Sequence, residues 1–177
     1  MACSLTTGRK VPCKSAVGGI KAIFFADYGT LGEPTTIVDG EITGFGGSPQ
    51  WFQFEVKGAS SLETAINSSR ENGTTFYEST LTMALTFQDK ATQEELKLIA
   101  HGRPHVAVQD YNGNFFVVGL EHGAEVTGGT ISTGAAMGDL SGYNLTIVAQ
   151  ETAPPYFASL SAFAGDVSSN QIDPTAA

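Results

Sequence analysis

The feature that most constrains this chain is a run in which Leu81, Met83, Leu85 and Phe87 alternate with Thr80, Thr82, Ala84 and Thr86. A period of two held over that length specifies a strand with one apolar and one hydroxyl-lined face; a helix repeats about every 3.6 residues and cannot present it. Just upstream stands Asn72-Gly73, the pair preferred in type I′ turns because both residues accept positive φ. The pattern predicts a long hairpin, residues 61–71 running in and 74–87 running out. Strands usually span about five or six residues, so such a hairpin would overhang a small domain and need a neighbour.

The rest of the chain reads in the same β-rich way. Residues 19–28 are aromatic and β-branched up to Gly29 and give a first strand; 35–43 and 50–56 give two more. In the last of these Phe52, Phe54 and Val56 are expected in the core, with Trp51, Gln53 and Glu55 on the opposite face. One helix is expected over 91–101, with a capping box of Thr92 and Glu95, Leu96 with Ile99 or Ala100 on one face, and Gly102 and Pro104 closing it. Residues 105–109 and 115–120 flank Asn112-Gly113 as a second hairpin. A glycine-rich stretch, 123–138, leads to a last strand, 142–150, with Tyr143, Leu145, Ile147 and Ala149 on one face and Asn144, Thr146, Val148 and Gln150 on the other.

After Pro154-Pro155 the sequence turns to small polar residues and reads as extended or loose unless another subunit holds it. The chain divides into a leader (1–18), a β domain (19–155) and a C-terminal extension (156–177). No period of 20 to 50 residues recurs, which excludes a solenoid or propeller. The expected fold class is all-β and mainly antiparallel, a sandwich or partly closed barrel with one short flanking α-helix.

Charge narrows what such a domain can do. Charged residues make up 15% of the chain, against roughly 25% in an average soluble domain, so much of the surface is expected to be covered. The formal net charge is −9, and every Lys and Arg lies at or before Arg103. Beyond it stand Asp110, Glu121, Glu125, Asp139, Glu151, Asp166 and Asp173 with no basic residue. An acidic surface repels phosphate, which excludes a DNA-binding module and suits either plain solubility or a wall that DNA passes without sticking. Cys3 and Cys13 are read as free thiols, too few for a disulfide framework. No apolar run approaches a membrane span and the first fourteen residues lack the apolar core of a signal peptide, so the chain is expected in a cytoplasm with no membrane partner.

No constellation carries chemistry. The carboxylates of 89–95 complement a helix dipole; His101 and His105 flank Gly102 and Pro104 and do not share a helical face; His122 stands alone. No Gly-x-Ser-x-Gly elbow occurs, and the glycine pairs Gly128-Gly129 and Gly46-Gly47 precede neither a helix start nor Gly-Lys-Ser/Thr, so they serve turns and bulges. No catalytic residue, metal site or cofactor is expected.

The opening Met1-Ala-Cys-Ser-Leu-Thr-Thr-Gly-Arg-Lys10, then Cys13-Lys14 and Val17-Gly-Gly-Ile-Lys-Ala-Ile-Phe-Phe-Ala26, resembles the start of tail tube proteins of tailed bacteriophages. Residues 119–134, from Gly119-Leu-Glu-His to Thr133-Gly134, are similar too, as are Gly138-Asp139 and Gly142-Tyr-Asn-Leu-Thr146; the likeness covers roughly residues 1 to 155. The resemblance implies a β-sandwich or barrel subunit whose hexameric rings stack into a hollow tube in the virion tail, its sheets joined into one inner barrel and a hairpin touching the next ring. The implied partners are further copies of the chain, a sheath or terminator, a baseplate or tail-tip protein, and DNA passing without specific binding.

On that reading Arg70, Glu71, Asn72, Gly73 and Thr74 are the ring-stacking hairpin, and Thr80, Thr82, Asn144 and Thr146 are the candidate lumen face. Other readings share the composition: a tail terminator, a capsid decoration protein, the tube of a contractile secretion or bacteriocin-like device, or a small β-barrel ligand-binding module with Trp51, Tyr77 and Tyr111 as its platform.

Overall fold

The computed structural model describes residues 7–11, 13–32, 36–56, 58–163, 167–169 and 171–172. Cys3, Thr35, Asp166 and Asp173 lie outside them; Cys13 is a free, exposed thiol. The fold is all-β, as the alternating patterns require, with two short helices. A seven-stranded sheet contains β1 (Ile20–Ala26), β2 (Thr36–Val38), β3 (Glu41–Gly44), β4 (Phe52–Glu55), β7 (His105–Asp110), β8 (Phe115–Val118) and β11 (Tyr156–Ala158), in the order β2-β3-β11-β8-β7-β1-β4. A four-stranded sheet runs β5-β6-β10-β9, from β5 (Ser61–Ser69), β6 (Thr74–Thr86), β10 (Gly142–Glu151) and β9 (Glu125–Ser132). All pairings between these strands are antiparallel except β11 with β3.

The sheets pack face to face over one core. Ile23, Phe25, Val106 and Val108 of the larger sheet meet Leu81, Met83, Tyr143 and Ile147 of the smaller, closed by Leu96 of helix α1 (Lys90–His101). The expected faces of β6 and β10 hold: their apolar residues point into this core. Phe87 is the exception. Strand β6 ends at Thr86, and Phe87 takes φ 71°, which turns its ring out to solvent. A left-handed non-glycine residue costs on the order of 1–3 kcal/mol.

The larger sheet has a second core on its other face. Phe163 of the short helix α2 (Leu160–Phe163) is 2% exposed and stacks on Phe115 at 5.0 Å, with Trp51 at 5.1 Å, Phe45 at 5.6 Å and Phe24 at 5.9 Å. The reading of residues 156–163 as loose is corrected. Strand β11 inserts between β3 and β8, inside the larger sheet, and α2 caps the second core. Burying Phe163 and Ala158 compensates for the ordering of a segment that had looked too polar to fold.

Several local expectations also change. Residues 35–43 are not one strand. Asp39 and Gly40 both take positive φ, 53° and 83°, and join β2 to β3 with Val38 opposite Glu41, so the type I′ geometry occurs here. At the long hairpin Ser69 faces Thr74 and the loop holds Arg70, Glu71, Asn72 and Gly73. Only Gly73 (φ 64°) is left-handed there, so the expected type I′ turn at Asn72-Gly73 is replaced by a four-residue loop.

Helix α1 is capped by Asp89, whose carboxylate accepts from Thr92 N–H at 2.8 Å, and not by a box beginning at Thr92. Trp51 is fully buried in the second core, while Phe52, expected inside, is partly exposed; Phe54 and Val56 do face the first core. The glycine-rich stretch contains strand β9, which the sequence pattern had not marked. A Cβ on Gly129 would stand 2.7 Å from Leu145 Cδ2, so β9 approaches β10 closely at this position because Gly129 lacks a side chain.

Among the described residues no helix is long and apolar enough to cross a membrane.

Candidate assembly surface

The four-stranded sheet has one face on the core and the other bare. Cross-strand register decides which residues share the bare face: Thr82 lies between Ser61 and Thr146, Thr80 between Glu63 and Val148, and Asn144 between Ala84 and Thr130. The four residues singled out from the sequence, Thr80, Thr82, Asn144 and Thr146, therefore come together on one surface, all half-buried. Glu63, Glu78 and Glu125 join them, with Gln150 donating to Glu78 Oε2 at 2.7 Å. The four strands contain no Lys, Arg or His. Strand alternation gave the hydroxyls; the carboxylates required the cross-strand register, and Glu125 required a strand masked by glycine.

Among the described residues neither edge of this sheet, β5 on one side and β9 on the other, is paired with a further strand. Unpaired edges expose N–H and C=O groups that template pairing with another chain. Strand direction alternates across the sheet, so β5 and β9 run antiparallel. If β9 of one copy lies beside β5 of the next, head to tail, alternation continues across the junction. An even number of strands per copy lets it continue indefinitely.

The β5–β6 hairpin overhangs as its pattern requires. The core ends near the row Thr64, Ser79 and Ala149, and at about 3.3 Å per residue the stretch from there to Ser69/Thr74 is roughly 17 Å long. Arg70, Glu71, Asn72, Gly73 and Thr74 form its exposed tip. Ile66 is 67% exposed on one face of the overhang and Phe76 lies open on the other, apolar surface that the described residues leave uncovered. The pairs Thr64/Ser79 and Ser68/Thr75 hold the arms together by hydroxyl hydrogen bonds at 2.9 and 3.1 Å.

Away from this sheet, His105 is structural. Its Nε2 accepts from Gly29 N–H at 3.0 Å, so Nδ1 carries the proton and donates to Gly119 O at 2.6 Å. The ring stacks on Tyr28, over which Arg103 lies at 3.9 Å. Burial holds the imidazole below its usual pKa; the bond to Gly119 opposes this and the Arg103 charge adds to it. Asp110 organises the second hairpin. Burial tends to raise its pKa, but bonds from Asn114 and Asn112 outweigh that and lower it.

Trp51, Tyr77 and Tyr111 do not form a platform. Trp51 is enclosed by Phe45 and Phe163, whereas Tyr77 sits in β6 and Tyr111 at the turn after β7.

No family model matches this sequence, and neither the curated proteins nor the solved structures contain a match.

Proposed function

We propose that the chain is a structural virion protein, the tail tube subunit of a tailed bacteriophage, whose rings stack into a conduit for DNA. One observation carries the reading: a sheet face of hydroxyls, amides and carboxylates whose strands hold no cation, bounded by two edge strands that run antiparallel and are unpaired among the described residues. Joining β5 to β9 of the next copy would satisfy both edges by strand addition and, once closed into a ring, leave none open. The hexameric ring that the family resemblance implies would hold about 24 strands. At a spacing of about 4.7 Å and a tilt of about 40° the barrel would be roughly 45 Å across between backbones. Barrels of 16 to 18 strands already leave an aqueous channel, so this one would be hollow.

The bare face would line that bore. Thr80, Thr82, Asn144 and Thr146 would hydrate the wall, and Glu63, Glu78 and Glu125 would repel phosphate, so DNA would pass without the ion pairing that makes it stick. The overhanging hairpin, with Ile66 and Phe76 uncovered, would reach the next ring.

Lysine at Thr80 and Thr82 is expected to leave rings intact and to slow DNA ejection from particles; unchanged ejection would remove these residues from the lumen. Deleting Asn72 and Gly73 with their neighbours is expected to leave a folded protein that no longer stacks, and normal tubes from that deletion would refute the hairpin's role.

A further inference from the structure

The leader and the body carry opposite charge. Residues 1–18 contain Arg9, Lys10 and Lys14 and no Asp or Glu, whereas the chain as a whole has a net charge of −9. The described leader residues before β1 are exposed and outside any helix or strand. The turn after β7 holds them next to β1: Val17 N–H donates to Asn112 Oδ1 at 2.9 Å, Asn112 Nδ2 donates to Val17 O at 2.8 Å, and Tyr111 N–H donates to Gly19 O at 3.3 Å.

On the body, a groove of about 660 Å³ runs between β4 and the end of β6, beside the start of α1. That is within the range of roughly 300–1,000 Å³ typical of ligand sites. Its walls combine apolar and acidic groups: Phe52, Phe54 and Phe87 with Glu55, Asp89 and Glu95; Lys21 is the one cation in its lining among the described residues. Two features mark it as unfinished. Phe87 holds its strained φ while its ring is half exposed there, and Asp89 Oδ1 is buried without a hydrogen-bond donor among the described residues.

We infer that this groove receives the basic leader of a second copy of the chain. Arg9, Lys10 and Lys14 would face Glu55, Asp89 and Glu95, and Val11 would lie against the exposed phenylalanines. Complementary charge would set which surface the arm finds, and the apolar walls would supply the burial that holds it. The inference requires self-association only and stands whether or not the assembly is a tube.

The full chain tests this by charge exchange at exposed residues. One variant reverses the arm (Arg9→Glu, Lys10→Glu, Lys14→Glu) and another the groove (Glu55→Lys, Glu95→Lys), each checked for wild-type circular dichroism and melting. Should the groove variant fail to fold, Glu95→Lys alone replaces it. In sedimentation velocity each variant by itself is expected to associate at least about tenfold more weakly than the wild type. An equimolar mixture is expected to recover association, because the acidic arm of one variant meets the basic groove of the other. Undiminished association of either variant alone, or no association of the wild type, overturns the inference. So does recovery only when both sets sit in one chain and not in the mixture, since that places the arm in its own groove. Tubes that persist in micrographs of the arm variant would overturn the arm's role while leaving the tube reading in place.

Discussion

The two sheets treat their exposed surface in opposite ways. The seven-stranded sheet is covered on both faces, by the smaller sheet on one side and by Phe163, Trp51 and Phe45 on the other. Its β4 edge is partly shielded, for Trp51 bridges to Val167 and Ser168 N–H donates to Trp51 O at 2.7 Å. Among the described residues the four-stranded sheet is covered on one face only and neither of its edges is paired. Two-sided burial stabilises a subunit by itself; one-sided burial with free edges leaves hydrogen bonding to be completed by other copies. The difference teaches that stability and assembly are lodged in separate sheets, which makes them separable by mutation.

The largest expected effect falls on the covered sheet. Phe163→Ala should destabilise the monomer by about 3–5 kcal/mol, because the ring leaves a cavity among four aromatic side chains. Urea denaturation would measure it. A loss below about 1 kcal/mol would mean the second core is not a structural partner of the first, and the contrast would collapse.

Next in size is a pH effect at His105. Its folded pKa is below the unfolded value of 6.5. As pH falls through that value the unfolded chain binds more protons than the native one, so stability declines down to the folded pKa, by at most about 1.4 kcal/mol per pH unit. Melting curves between pH 7.5 and pH 5 should show this slope, and His105→Asn should flatten it. The bonds that lower the pKa of Asp110 act in the carboxylate range further down, where stability is lost as pH falls through the folded pKa.

Asp89→Ala, which removes the cap of α1, should cost about 1 kcal/mol in thermal or urea unfolding. The smallest effect is expected on the bare face. Thr80→Lys and Thr82→Lys should each change monomer stability by no more than about 0.5 kcal/mol, even though they place cations on the surface proposed to line the bore. A large destabilisation would show that this face is already packed against something in the monomer.

How much was legible in the sequence follows the same division. In the open sheet β6 and β10 were readable because they alternate strictly; Leu81-Met83 and Tyr143-Ile147 mark one face, and the hydroxyls of Thr80, Thr82 and Thr146 the other. The covered sheet was less so. Strand β1 is buried on both faces, so Phe24 and Phe25 look alike in sequence while serving different cores. Trp51 gave no sign that α2, more than a hundred residues away, would enclose it. Strand β9 was hidden by Gly128 and Gly129, which have no side chains to show an alternation. The Asp39-Gly40 turn carried its signal in plain view, but within nine residues of β character the dipeptide was read as strand.

The central claim is that the four-stranded sheet is completed by its neighbours, edge to edge, with its bare face inward. Electron cryomicroscopy of the assembled protein tests it most directly. The account predicts rings in which β5 of each copy pairs with β9 of the next and Thr80, Thr82, Asn144 and Thr146 face a continuous bore. Monomers alone at high concentration, or an assembly that turns this face outward, would contradict it.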